Sequence, residues 1–148
     1  MKTYNQSISE FQLTKKKTDF QKVKITSSKQ ASEFIRQFYG DDLGIYESVF
    51  LLLMNNASNT IGFVKISQGG INAAVCDPLL VAKYAIDSLA KQVILAHNHP
   101  SGNLTPSQAD SNICKKIKEG LGLFEIRLMD NIILTEESYY SFADEGII

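Results

Sequence analysis

Two histidines, the only two in the 148-residue chain, lie two positions apart in the stretch ILAHNHPSGNLTPSQAD. Alternate residues of an extended strand point to the same face, whereas residues two apart on a helix point in widely different directions. An extended chain therefore lets His97 and His99 bind one metal ion. Asp110 follows eleven residues after His99, and it can supply a third ligand if the chain between them folds back.

The residues between the histidines and Asp110 fit such a return. Residues 100–104, Pro-Ser-Gly-Asn-Leu, form a loop. The sequence Thr-Pro-Ser-Gln at 105–108 resembles a capping box with proline at the first helical position, and it predicts a helix that runs to about residue 120 or 122. Ser107 lies three residues before Asp110 and would share its helical face, so both approach the histidines.

Two imidazoles and one carboxylate form the ligand set of a catalytic zinc site, which leaves a fourth position open. An HxH pair alone is weaker evidence, because single histidines often only pack or lie at the surface. The letters HNH at 97–99 also match the name of a nuclease motif, but that motif distributes its residues over a ββα unit. The full spacing carries more information than the pair.

That full spacing is HxH, seven residues, Ser107, two residues and Asp110. It resembles the motif of the JAMM/MPN+ zinc metalloprotease family, and HNHPSGNLTPSQAD is similar to the bacterial RadC-like branch. The resemblance covers roughly residues 22–148, including Glu47 upstream and residues 139–146 downstream. It implies an α/β fold: a single-domain MPN/JAB core, related to cytidine deaminases, with a mixed sheet flanked by helices.

The resemblance also implies a role for each candidate residue. His97, His99 and Asp110 would bind one zinc ion per chain, Glu47 would act as general acid/base, and Ser107 would stabilise the developing oxyanion. Zinc lowers the pKa of water to about 7, and a carboxylate beside it can carry a proton to the leaving amine. The implied activity is that of a metallopeptidase or isopeptidase acting on a peptide or protein substrate.

Glu47 is assigned by the family alignment rather than by its own surroundings. It begins an apolar run after Tyr46, where sequence alone favours a solvated charge at a strand end. Glu33 and Glu119 are weaker candidates, since each lies on a predicted helix without a matching context.

Two other functions are compatible with parts of the pattern. RadC-like proteins are often labelled as DNA repair proteins, so a non-enzymatic DNA-associated accessory protein is the alternative. A zinc nucleobase deaminase would share the fold, but such sites use a His/Cys/Cys set with P-C-x-x-C, and neither Cys76 nor Cys114 has that spacing. The chain also has Asp130-Asn131 where RadC-like proteins commonly have Asp-His, and we expect no helix-hairpin-helix region of the size found in longer members before the core.

Charge and composition argue against several classes of partner. Fifteen basic and sixteen acidic residues leave a net charge of -1, so no overall positive field recruits nucleic acid. The lysines at 15–17, 22 and 24 form the one basic cluster, without interleaved aromatic residues. Direct nucleic-acid binding is therefore not expected, and the sequence does not fix the oligomeric state.

The hydrophobic fraction of 44% is typical of one globular domain. No segment has the apolar core of a signal peptide or the length of a membrane span, so we expect a cytoplasmic protein without membrane association. Cys76 and Cys114 lie in apolar contexts, which favours small core residues over a disulfide.

Hydrophobic periodicity predicts the elements that must position the site. Residues 1–21 form an N-terminal arm or edge strand, and residues 22–148 form the domain. The periodicity predicts a helix from Ser27 to Gly40, a β-hairpin from 47–54 and 60–66, and a third strand over 71–76.

The second half of the domain is predicted to alternate helices and strands. Asp77-Pro78 begins a second helix, with an apolar stripe at Leu79, Ala82, Ile86, Leu89 and Ala90. Residues 93–96 form an interior strand that ends at His97, and residues 123–129 and 132–135 close the sheet.

Overall fold

The computed structural model describes residues 6–69 and 75–148 as three α-helices around one five-stranded sheet. The helices are α1 (Ser28–Tyr39), α2 (Pro78–Asp87) and α3 (Gln108–Gly122). The strands are β1 (Ser48–Met54), β2 (Thr60–Gln68), β3 (Gln92–Asn98), β4 (Arg127–Leu134) and β5 (Tyr139–Ser141). The single α/β domain with a mixed sheet expected from the sequence is confirmed.

The sheet has the order β2-β1-β3-β4-β5. β1 pairs with β2 and β3 in antiparallel fashion, β3 pairs with β4 in parallel, and β4 pairs with β5 in antiparallel fashion. Every residue of β1 and β3 is buried, as an interior strand covered on both faces must be. The predicted hairpin and the predicted interior strand are therefore confirmed.

Helices cover both faces of the sheet and create two apolar cores. On one face, α1 packs its Ile35 against Phe50, Ile94 and Ile132. On the other face, α2 and α3 pack against alternate residues of the same strands, and this core contains Cys114. Cys114 is a buried free thiol and Cys76 is a partly buried one, so the expectation of core cysteines is confirmed.

The first helix begins and ends where the sequence indicated. Ser27 is the N-cap of α1, and its hydroxyl accepts a hydrogen bond from the Gln30 amide at 3.1 Å. The Gln30 side chain accepts from the Thr26 amide at 2.8 Å, one residue earlier than a capping box requires. Gly40 follows with a φ of 55°, a left-handed conformation that glycine adopts without steric cost.

The apolar stripe predicted for α2 is wrong in its outer positions. Leu79 and Leu89 are 73% and 82% exposed, and Ile86 is 41% exposed, whereas Val81 and Ala85 are fully buried. The helix is apolar on several sides, so periodicity alone allowed more than one face to pack inward. Contact with α3 and the sheet selected the face with the smaller side chains, which allow a closer approach.

Three further expectations need correction or lie outside the described residues. Residues 123–129 and 132–135 are not two strands: 123–125 belong to the turn after α3, and β4 is one continuous strand. The strand predicted over 71–76 falls mostly on 71–74, outside the described residues, and 75–76 are not in a strand. Residues 22–26, KVKIT, alternate in the way that is typical of a strand, but they form only an isolated bridge between Lys24 and Asn59.

The described part of the N-terminal arm, residues 6–21, has no regular secondary structure and is exposed throughout.

Among residues 6–69 and 75–148, none of the helices combines the length and the apolar character that a membrane span needs.

The packing of α2 can be tested by matched truncations. Val81→Ala removes two buried methyl groups, so we expect the free energy of unfolding to fall by about 2 kcal/mol. Leu79→Ala trims an exposed side chain, and its effect should stay within about 0.5 kcal/mol. Urea denaturation of both variants measures the difference, and a larger loss for Leu79→Ala would mean that the stripe predicted from sequence faces the core.

Candidate metal centre

The carboxyl end of β3 holds the two histidines in extended backbone. His97 pairs with Val49 of β1 on one side and with Ile133 of β4 on the other, and it is 6% exposed. His99 lies just beyond the strand, where its amide donates to the Leu134 carbonyl at 2.8 Å and continues the extended path. The two rings lie on the same face with their Nε2 atoms 3.1 Å apart, as the HxH spacing predicted.

A loop contact fixes which nitrogen of His99 is free. Its Nδ1 lies 2.6 Å from the Asn103 carbonyl oxygen, and only a protonated nitrogen can donate to a carbonyl. Nε2 of the neutral ring is then unprotonated and available as a metal ligand. The turn that returns Asn103 to the ring includes Gly102, whose φ of 85° favours glycine.

Asp110 lies in the first turn of α3, but the helix begins two residues later than predicted. The N-cap is Ser107 rather than Thr105: the Ser107 hydroxyl accepts from the Asp110 amide at 3.0 Å, and the Asp110 carboxylate accepts from the Ser107 amide at 2.9 Å. These reciprocal bonds form a capping box. The Thr105 amide instead donates to the Asn103 side chain, which leaves Thr105 outside the helix.

The capping box directs the Asp110 carboxylate toward the histidines. Its Oδ1 lies 3.5 Å from the His97 Nε2, and its Oδ2 lies 3.8 Å from the His99 Nε2. Burial alone would raise the pKa of Asp110, but the hydrogen bond and charge of His97, together with the bonds from Ser107, hold that pKa well below its usual range. The carboxylate is therefore ionised, as a metal ligand must be.

Glu47 approaches the same histidines from the segment before β1. One potential ligand atom from each of Glu47, His97 and His99 lies within 4.8 Å of the other two. Glu47 and His99 also line an open cleft of about 200 Å³ together with Ile45, Pro100 and Ser101. Glu33 and Glu119 are exposed on α1 and α3, and neither belongs to this group.

The donor set fits a small divalent cation. A tetrahedral zinc site with bonds of about 2.0–2.1 Å places its ligand atoms about 3.3 Å apart. The nitrogen–nitrogen distance of 3.1 Å and the nitrogen–oxygen distances of 3.5 and 3.8 Å fall near that value. Two imidazoles and a carboxylate also leave one position open, which is typical of catalytic rather than structural zinc.

Ser107 is close to the site but is occupied by the helix cap. Its hydroxyl oxygen accepts from the Asp110 amide, and a hydroxyl can still donate one proton elsewhere. The side chain is exposed to solvent. Its predicted role with an oxyanion stays a prediction, and the role that the structure does give it is to orient Asp110.

The sequence reasoning missed two asparagines that support the site. The Asn103 carbonyl contacts His99, and nothing in the residue type could reveal a backbone contact. Asn98 is buried at the carboxyl end of β3 and bonds to the backbone near Glu47. Asparagine is uncommon inside strands, so its position between two histidines was a usable signal.

The Asp130-Asn131 pair, where the resemblance leads one to expect Asp-His, is buried in β4, and neither residue lines the cleft. The Asp130 carboxylate accepts hydrogen bonds from the Ser141 hydroxyl and the Ala143 amide, so it joins β4 to the chain after β5. Asn131 Oδ1 has no hydrogen-bond partner among the described residues. Burial raises the pKa of the Cys114 thiol, and the Asn131 side chain opposes that increase.

Comparison with known proteins identifies the family of this domain. The family model for the RadC-like JAB domain matches residues 25–147, and the chain therefore belongs to the RadC-like JAB domain family. It is 43% identical over 124 residues to a UPF0758 protein of Flavobacterium johnsoniae and 35% identical over 125 residues to one of Porphyromonas gingivalis. A UPF0758 protein of Vibrio cholerae is 40% identical over 124 residues.

These alignments include most of this chain but less of its relatives. The Flavobacterium alignment covers 84% of this chain and 53% of its relative, and the Porphyromonas alignment covers 84% and 54%. The Vibrio alignment covers 82% of this chain and 76% of its relative. The chain thus spans about half the length of the first two relatives. The comparisons establish the family to which this domain belongs.

Asp110 can be tested as a ligand against a matched helix cap. Asp110→Ala should lower zinc affinity more than about 100-fold, since even residues that only support metal ligands contribute about 10–100-fold. It should also cost about 1 kcal/mol of stability because α3 loses half of its capping box. A competition titration with a chromophoric chelator measures the affinity.

The control for this experiment is Asp77→Ala. Asp77 caps α2 by accepting from the Leu79 amide at 2.9 Å, so its loss should cost a similar amount of stability and leave zinc affinity unchanged. If Asp110→Ala and Asp77→Ala bind zinc as tightly as the parent, Asp110 is only a helix cap.

Proposed function

We propose that this chain is a zinc-dependent hydrolase of peptide or isopeptide bonds that holds one zinc ion per chain. The observation that supports the proposal is the convergence of two histidines and two carboxylates beside an open cleft, which Glu47 and His99 line. A structural zinc site would be closed by four protein ligands. Here both histidine side chains are mostly buried and His99 lines the cleft, which suits a site that admits a substrate.

The residues divide between holding the metal and moving a proton. His97, His99 and Asp110 would hold zinc through Nε2, Nε2 and a carboxylate oxygen. Zinc at such a site supplies Lewis-acid chemistry, which polarises a carbonyl group and makes water acidic near neutral pH. Glu47 would accept a proton from the attacking water and deliver it to the leaving amine, since a carboxylate in the site can act first as base and then as acid.

Ser107 would donate its remaining hydroxyl proton to the oxyanion that develops on the attacked carbonyl. A single well-aligned donor of this kind contributes about 10²–10³-fold to the rate in other hydrolases. The role is compatible with the helix cap, because the cap uses the hydroxyl as an acceptor and the oxyanion would use it as a donor.

The surroundings of the site favour an extended polymeric substrate. The cleft at Glu47 adjoins a second cleft of about 490 Å³, and Ile45 lines both of them. The second cleft lies between the end of α1 and the turn from β4 to β5, and Arg36 and Glu136 contribute to its walls. A peptide or a protein tail could lie along both clefts, so a peptide or protein substrate is proposed over a small molecule.

Glu47→Gln tests the proposed proton carrier. The amide has nearly the same shape as the carboxylate but cannot shuttle a proton, so zinc should remain bound while hydrolysis falls by about 10²–10⁴-fold. Metal content and cleavage of a panel of peptide and isopeptide conjugates are measured together, with a chelated and zinc-restored parent as reference. Glu33→Gln, an exposed carboxylate on α1, is the matched control and should cleave like the parent.

Two outcomes would contradict the proposal at different points. Equal cleavage by Glu47→Gln and the parent would show that another residue carries the proton. Loss of zinc from Glu47→Gln would place Glu47 among the metal ligands and remove it from acid/base chemistry.

A non-enzymatic DNA-associated protein is the alternative, and it makes a different prediction. With a net charge of -1, we expect no appreciable binding to duplex DNA at physiological salt. Specific and non-specific DNA binding both weaken steeply with salt because counterions are released from phosphates. A salt titration monitored by fluorescence anisotropy checks this, and salt-dependent binding would favour the accessory-protein function.

A further inference from the structure

The buried amide between the two histidines holds the backbone on both sides of Glu47. Asn98 is 0% exposed. Its Oδ1 accepts from the Ser48 amide at 2.7 Å, and its Nδ2 donates to the Leu43 and Tyr46 carbonyls at 2.7 and 2.8 Å. An asparagine side chain carries two N–H donors and one carbonyl acceptor, so each of these groups is used. Tyr46 and Ser48 are the immediate neighbours of Glu47.

We propose that Asn98 is a positioning residue that sets where Glu47 lies relative to His97 and His99. The inference rests on the proposed function, in which Glu47 has to lie close to a metal ion that His97 and His99 hold. Asn98 itself faces away from the metal ligands. It acts on the site only through the backbone that carries Glu47.

Strand geometry makes this arrangement possible. In an extended chain successive side chains point to opposite faces, so His97 and His99 share one face and Asn98 points to the other. These three consecutive residues therefore present the two proposed metal ligands on one face of the strand. On the other face, Asn98 presents the side chain that bonds to the backbone beside Glu47. A displacement of the chain end would move the histidines and Glu47 together, which preserves their separation.

Two other hydrogen bonds next to Glu47 lead to segments other than β3. Its carbonyl accepts from the Gly69 amide at 2.8 Å, and the Ser48 carbonyl accepts from the Tyr39 hydroxyl at 3.0 Å. The pairing of β1 with β3 begins at Val49, after Glu47. Among the described residues, Asn98 is thus the side chain of β3 that reaches the segment before β1.

A second buried amide on the same strand provides a matched control. Gln92, at the start of β3 and 4% exposed, donates to the Asn56 carbonyl at 3.1 Å and accepts from the Ser58 hydroxyl at 2.7 Å. It holds the turn between β1 and β2 by the same chemistry, at the opposite end of the strand from the histidines. Replacement of either amide by a carboxylate places an oxygen against a backbone carbonyl and should destabilise the fold.

The decisive experiment measures the position of the Glu47 carboxylate without a substrate. Protein labelled with ¹³C at the glutamate carboxyl carbons is titrated with Co²⁺, and the Glu47 resonance is assigned by its absence in Glu47→Gln. Paramagnetic broadening falls with the inverse sixth power of the distance to the metal. Asn98→Asp should still bind one Co²⁺, but its Glu47 resonance should lose most of the broadening. Gln92→Glu should bind one Co²⁺ and should also keep the full broadening of the Glu47 resonance.

Asn98→Ser is the second variant, in case the carboxylate prevents folding. Serine is too short to make the same three bonds but introduces no charge. The proposal is overturned if either folded Asn98 variant broadens Glu47 as strongly as the parent does, or if Gln92→Glu weakens the broadening equally. The latter result would mean that Asn98 supports the fold in general rather than the position of Glu47.

Hydrogen exchange separates this inference from the proposed function. In the parent, the Ser48 amide should exchange at least about tenfold more slowly than an unbonded loop amide, and Asn98→Ser should remove that protection. If the parent binds no Co²⁺, the proposed function fails, and exchange at Ser48 still decides whether Asn98 holds the backbone of Glu47. A Ser48 amide that exchanges freely in the parent overturns the inference without any variant.

Discussion

The structure of the site depends on the extended backbone at the carboxyl end of β3. Because that strand is paired on both sides and buried along its whole length, the directions of its side chains are fixed by the sheet rather than by local loops. His97 and His99 lie on one face for this reason, with their Nε2 atoms 3.1 Å apart. Binding groups that are held on rigid elements reach their geometry with little reorganisation, and the sheet supplies that rigidity here.

The capping box of α3 serves both the fold and the site. Ser107 and Asp110 satisfy each other's amides at the start of the helix, and the same bonds turn the Asp110 carboxylate toward the histidines. Stability and the proposed metal binding would therefore be coupled at this helix end, so a loss of metal affinity in a variant of either residue would have two possible origins. A matched cap elsewhere in the chain is needed to separate them, and Asp77 provides one because it caps α2 outside the site.

The sequence predicted that His97, His99 and Asp110 lie together, because their spacing is a geometric statement. HxH specifies an extended chain, and the fixed separation to Asp110 requires a loop and a helix start, both of which the structure contains. The prediction was less successful where two answers satisfied the same local rule. Thr105 and Ser107 can both begin a capping box; in the structure Ser107 forms the box with Asp110, and the Thr105 amide bonds to the Asn103 side chain. Likewise, α2 has apolar residues on more than one side, and packing against α3 and the sheet determined that Val81 rather than Leu79 is buried.

The interactions that the sequence could not reveal are those in which a side chain bonds to distant backbone. Glu47 lies about fifty residues before the histidines in the chain, and no local pattern specifies how the segment before β1 meets the end of β3. That contact is made by Asn98, whose bonds to Leu43, Tyr46 and Ser48 are all to main-chain atoms. A buried amide with unmade hydrogen bonds would be costly, so the bonds that satisfy Asn98 also restrict the backbone around Glu47. The hydrogen bonds that satisfy the buried Asn98 amide are therefore the same bonds by which we propose that Glu47 is placed beside His97 and His99.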